Sequence, residues 1–82
     1  MNKKKMLSRI YRNRANVRYD DFVLLIEAFG FRKSRSSGSH SIYRHPAIPE
    51  FLCVQDFKGE AKPYQIAQFF ALVEKYTVDM EE

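Results

Sequence analysis

Two histidines, His40 and His45, flank a short strand that begins directly after the Ser36-Ser37-Gly38 turn. An imidazole changes charge near neutral pH, so it can take a proton from a ribose 2′-hydroxyl or return one to a leaving oxygen. His40 has the better surroundings. Gly38 allows a phosphate close to the backbone, Ser39 offers a hydroxyl, and Arg32, Lys33, Arg35 and Arg44 lie on the adjoining segments to hold negative charge. Tyr43 adds a hydroxyl or a ring beside them, and Lys58 and Lys62 are further cations downstream. Metal-free RNA cleavage needs little more than these parts, although a Gly-Ser-His triplet in a basic hairpin, taken alone, more often marks an ordinary surface histidine.

Strand alternation bears on whether the histidines work as a pair. It puts His40, Ile42 and Arg44 on one face and Ser41, Tyr43 and His45 on the other, which disfavours a two-histidine acid/base mechanism. Other chemistries fit less well. The acids are scattered and no His/Asp/Glu cluster has ligand spacing, so neither a metal nor another cofactor is expected. Cys53 is the only cysteine, which excludes an internal disulfide and a cysteine-based zinc cluster within one chain and suits a reducing cytoplasm. It reads as a small apolar residue rather than a nucleophile.

Met1-Asn2-Lys3-Lys4-Lys5 has the charge of a signal-peptide head, but Ser8, Arg9, Arg12 and Arg14 break the segment after it. The longest apolar run, Phe22 to Ile26, falls far short of the roughly 20 residues that span a bilayer. A soluble, cytoplasmic protein without a membrane partner is expected. Its net charge of +4 is unevenly placed: residues 1–47 carry eleven Lys or Arg against three acids, and residues 48–82 carry three against seven. A basic half attracts phosphate backbones and releases their counterions, which favours nucleic acid over a merely uneven solvated surface.

The elements that must position these groups follow from periodicity. An apolar content of 45% with 15% aromatic residues supports one packed core, and 82 residues leave room for a single sheet and about two helices. Met6, Leu7, Ile10 and Tyr11 predict an amphipathic helix over Lys3–Arg12, followed by an Asn-rich linker. Phe22, Leu25, Ile26 and Phe29 predict a core helix from about Asp21 to Phe29, capped by Asp20 and stopped by Gly30.

The period then changes. Phe31–Arg35 reads as a strand, Ser36–Gly38 as a turn and Ser39–His45 as a second strand, which Pro46-Ala47-Ile48-Pro49 must leave because proline cannot donate to a ladder. Phe51–Gln55 is a third strand, central or well covered, and residues 56–62 are a loop by composition. Pro63 opens a last helix to about Tyr76, with Ile66, Phe69, Phe70 and Val73 as its buried stripe. The expected class is therefore α+β, in the order α-α-β-β-β-α: a three-stranded antiparallel sheet with helices on one face.

Ala28-Phe29-Gly30-Phe31, then Arg35, then Gly38-Ser39-His40-Ser41-Ile42-Tyr43-Arg44-His45-Pro46 resembles the HicA toxin family, with a helix ending in Gly-Phe followed by Gly-Ser-His and an aromatic. Lys58-Gly59 and Lys62-Pro63 before an amphipathic helix agree with it, and the likeness covers roughly residues 20–76. The resemblance implies a double-stranded-RNA-binding-like fold and a toxin that cleaves mRNA through the histidine of Gly-Ser-His, here His40. It also implies a HicB-type antitoxin, through which any DNA contact would be indirect. It divides the chain into a basic helical extension, residues 1–18, and a HicA-like domain, residues 19–82.

Three departures stand out. Many members begin almost directly at the core helix, a second histidine is common where Ser41 stands, and a basic Pro-Arg-His-like stretch is replaced by Val54-Gln55-Asp56-Phe57. The competing class is a non-catalytic module that binds structured RNA or a protein partner. Helix-turn-helix recognition of DNA is poorly supported, because strands occupy the middle of the chain.

Overall fold

The computed structural model describes residues 3–81. Met1, Asn2 and Glu82, at the outer ends of the 1–18 and 19–82 segments, lie outside the described residues. The elements are α1 (Lys3–Arg12), α2 (Tyr19–Ala28), β1 (Arg32–Ser37), β2 (His40–His45), β3 (Ile48–Phe57), β4 (Glu60–Ala61) and α3 (Pro63–Lys75). The strands form one antiparallel sheet in the order β1-β2-β3-β4. The expected α+β class and element order hold, with one short strand more than expected.

Helix α1 has the predicted bounds, and its apolar stripe is what holds it. Met6 and Ile10 are buried, while the exposed edge of Tyr11 meets the Phe70 ring of α3 at 5.1 Å. Helix α2 starts earlier than predicted, at Tyr19. Arg18 takes the N-cap position without a side-chain cap bond, so Asp20 is not the cap; Asp20 and Asp21 stand in the first turn, where the helix dipole favours them. Its C-terminus closes as expected. The Gly30 N–H donates to Glu27 O at 3.0 Å and the Phe31 N–H to Ile26 O at 3.3 Å, with Gly30 at φ +95°.

Phe69 of α3 is the hub of the core. Its ring lies 5.2–5.8 Å from those of Phe22, Phe29, Phe31 and Phe70, tying α2 and α3 to the start of the sheet. The sheet meets this layer through alternate residues: Tyr43, Leu52, Val54 and Ala61 are buried, whereas Arg44, Phe51 and His40 are exposed. Helices thus cover one face and leave the other open.

The strands differ from expectation mainly at their ends: Phe31 precedes β1 and Ser39 lies in the turn before β2. Ser36 and Ser37 belong to β1, since Ser37 pairs with His40 and the turn needs only Gly38-Ser39. Ile48 and Pro49 belong to β3. Proline is tolerated there because the register slips between Tyr43↔Leu52 and His45↔Ile48, a bulge that leaves the ladder open. Finally, the predicted loop 56–62 contains β4, whose two residues pair with Asp56 and Phe57 around a Lys58-Gly59 turn.

Candidate functional site

The site lies on the open face at the tip of the β1–β2 hairpin. His40 is exposed and stands between Ser37 of β1 and Gln55 of β3 in the register. Its neighbours on the same side are Arg35, which pairs with Ile42, and Cys53, across from Ile42 on the other flank. Together with Ser36 and Ser37 these residues line a shallow depression. Gly38, at φ +60°, keeps the turn approachable: a Cβ built there would meet no atom within 4 Å. The imidazole can therefore be reached both from the face and from the tip.

Gln55 was not singled out by sequence, yet it organises the tip. Its Nε2 donates to the Ser39 Oγ at 3.3 Å, and its backbone N–H donates to Oε1 of Gln65 at 2.8 Å. Gln65 is buried and on α3, so its amide supplies the ladder partner that β4, too short to reach this position, does not. An unpaired N–H at such a site would cost about 1–3 kcal/mol. One polar residue in the apolar helix stripe was the available signal.

The predicted cations divide into groups. Arg35 flanks His40, and Arg44 lies farther along the same face with its guanidinium 5.6 Å from the Phe51 ring centre. Lys58 and Lys62 gather at the far end of β3, with Nζ 5.5 and 4.8 Å from the Phe57 ring centre. Arg32 is tied back to the end of α2: its Nη1 donates to Glu27 O and Phe31 O at 3.2 and 2.8 Å, and its Nη2 meets Glu81 at 3.5 Å. Lys33 pairs with Tyr43 on the edge strand and is exposed.

Tyr43 does not join the group around His40. Alternation turns it into the core, where it is 3% exposed, and burial raises its hydroxyl pKa, helped by the nearby Tyr19 and Glu27. A ring so placed packs the interior and is withheld from a base or phosphate. His45 also faces the helix layer. Its Nδ1 accepts the Ala47 N–H at 3.0 Å, its ring lies 5.2 Å from Phe31, and its Nε2 is 3.0 Å from where a Cβ on Gly30 would be. The two histidines are on opposite faces, as parity requires. Among the described residues no three His, Cys, Asp or Glu side chains gather as a metal site, and no helix is long and apolar enough to cross a membrane.

The geometry defines a small α+β protein that presents one imidazole among cations on an uncovered sheet. Residues 19–73, more than half of the chain, match the family model for the HicA toxin of bacterial toxin–antitoxin systems. The chain belongs to the HicA toxin family, the toxin side of such a pair. No curated protein and no solved structure shows a significant match to it.

Proposed function

We propose that this protein is a metal-independent endoribonuclease that cleaves mRNA, with His40 as its catalytic residue. The observation that carries the reading is the exposure of His40 on the open face, beside Arg35 and next to the unobstructed Gly38-Ser39 turn. A phosphodiester docked there meets a proton-transfer group and a fixed positive charge together. His40 acts as the base that takes the 2′-hydroxyl proton while solvent water protonates the leaving 5′-oxygen, or as the acid that protonates the leaving 5′-oxygen while water takes the 2′-hydroxyl proton. In either role the 2′-oxygen forms a bond to phosphorus as the bond to the 5′-oxygen breaks, leaving a 2′,3′-cyclic phosphate and a 5′-hydroxyl. Arg35, with Arg44, Lys58 or Lys62 along the backbone, offsets the charge gathering on the phosphoryl oxygens.

Membership of a toxin family from toxin–antitoxin systems supports an antitoxin partner; we assign it as a HicB-type protein that blocks this face and through which DNA is contacted indirectly. The reading places the protein in the cytoplasm, where mRNA and antitoxin are made. It treats residues 1–18 as a basic extension of the 19–82 domain whose cations add affinity for RNA.

The test is incubation of purified protein with RNA in the presence of a chelator. The native chain should yield cyclic-phosphate ends, and His40→Ala should lower the rate by about 10²–10⁴ while its unfolding transition stays in place. Cleavage by His40→Ala at the native rate would remove the assignment.

A further inference from the structure

The geometry points to Phe57 as a stacking platform for the nucleobase next to the scissile phosphate, which makes the substrate class single-stranded RNA; this rests on the ribonuclease reading above. Phe57 follows Gln55 by two positions on β3, so it shares the open face with His40, the cross-strand partner of Gln55. At about 3.3 Å per residue the offset along the strand is about 7 Å, on the order of one nucleotide step. The other side of the hairpin agrees: Asp56 pairs with buried Ala61, which leaves Phe57 and its partner Glu60 facing outward.

Phe57 is not among the residues that build the core cluster or pack against it. Phe57 is 48% exposed, at a position that a polar residue would fill at no cost to the core. Two ammonium groups lie by its ring, Lys62 at 4.8 Å and Lys58 at 5.5 Å. An aromatic face with mobile cations around it is what single-stranded nucleic acid requires, because the base stacks on the ring while the cations follow the phosphates. An incoming base takes the place of one ammonium on the ring, and the displaced lysine reaches the phosphate of that nucleotide.

Farther along the strand the pattern recurs once, with Phe51 half exposed below the Arg44 guanidinium. A strand stacked on Phe57 and led past His40 runs toward this second ring. A base inside a duplex cannot reach either one, since stacking on a protein ring requires it to leave its neighbours and its partner.

Binding is read in the His40→Ala background, so that the RNA stays intact, with a short RNA carrying 2-aminopurine as the probe. Phe57→Leu should weaken binding roughly 5- to 150-fold and remove the quenching that stacking produces, whereas Phe57→Tyr should keep both. The same sequence annealed to its complement should bind more weakly than the single strand. Unchanged affinity and quenching in Phe57→Leu, or duplex bound as tightly as single strand, would overturn the inference, with the unfolding transition of each variant confirming its fold. The arms separate the two readings: Phe57→Leu cleaving RNA as the native chain does sinks stacking alone, while quenched binding by a native chain that never cleaves sinks catalysis alone.

Discussion

His40 and His45 stand at opposite ends of the same six-residue strand, and the fold has made different residues of them. His40 faces solvent on the uncovered side of the sheet. His45 is wedged between Gly30 and the Phe31 ring and accepts the Ala47 N–H, so its ring holds the β2–β3 connection against the end of α2. They are five positions apart, an odd step, which in a strand means opposite faces. One imidazole is thus free for chemistry and the other serves as packing, a difference that composition cannot disclose and parity does.

Exchanging the two roles by mutation gives the sharpest contrast. His40→Ala should reduce cleavage by about 10²–10⁴ without moving the melting temperature. Next in size is Gln65→Leu, which leaves the N–H of Gln55 without its acceptor. It should destabilise the protein by about 1–3 kcal/mol and lower cleavage as the strand beside His40 loosens, with thermal unfolding and the RNA assay as readouts. Gly30→Ala forces an L-residue into positive φ and brings a Cβ to 3.0 Å from His45 Nε2 and 2.7 Å from the flexible end of Glu81. A loss of roughly 1–2 kcal/mol is expected, with catalysis intact in the folded fraction.

His45→Ala should cost about 0.5–1.5 kcal/mol for the ring contact with Phe31, again without a loss of specific activity. If it lowered cleavage as much as His40→Ala does, the division of labour would be wrong.

The smallest effect concerns Glu50, at the start of β3. Its carboxylate accepts from Lys75 Nζ at 2.8 Å and Tyr76 Oη at 2.7 Å, and these bonds hold its pKa below the ordinary carboxylate value. The link therefore contributes fully at and above that ordinary value and is lost as pH falls through the lowered one. Lys75 and Tyr76 have raised pKa values, chiefly through their hydrogen bonds to Glu50, so their share persists below their ordinary values and is lost as pH rises through the raised ones. All three side chains are solvated, so Glu50→Gln should only flatten the acid limb of the stability curve slightly, as melting temperature against pH will show.

Much of this was legible because the long elements carry strong periodic signals. Met6 and Ile10 fixed α1, and Pro63 with the Ile66-Phe69-Phe70-Val73 stripe fixed α3 to within a residue of its end. The strands were harder, since neighbours remote in sequence decide where they stop. Ser36 and Ser37 look like turn residues, yet pairing with Ser41 and His40 extends them. Pro49 looks like a breaker, yet a bulge accommodates it. Tyr43 shows the limit at the site itself: alternation separates it from His40, as it separates His45, but which of the two faces the helices cover is decided by the fold. The parts that Gln55 and Phe57 play depend on lying across from His40 and beside two lysines, a matter of register that the sequence does not disclose.

The basic N-terminal helix has a consequence of its own. Met6 and Ile10 are part of the core, and Tyr11 and Arg14 rest on the Phe70 ring, at 5.1 and 4.9 Å. Cutting away this helix would uncover Phe70 and the apolar side of α2, so a truncated chain reports on aggregation and RNA affinity at once. Neutralising Lys3 and Arg12 with glutamine preserves the wall of the building while dimming its charge, which lets electrostatics be weighed against an unaltered interior.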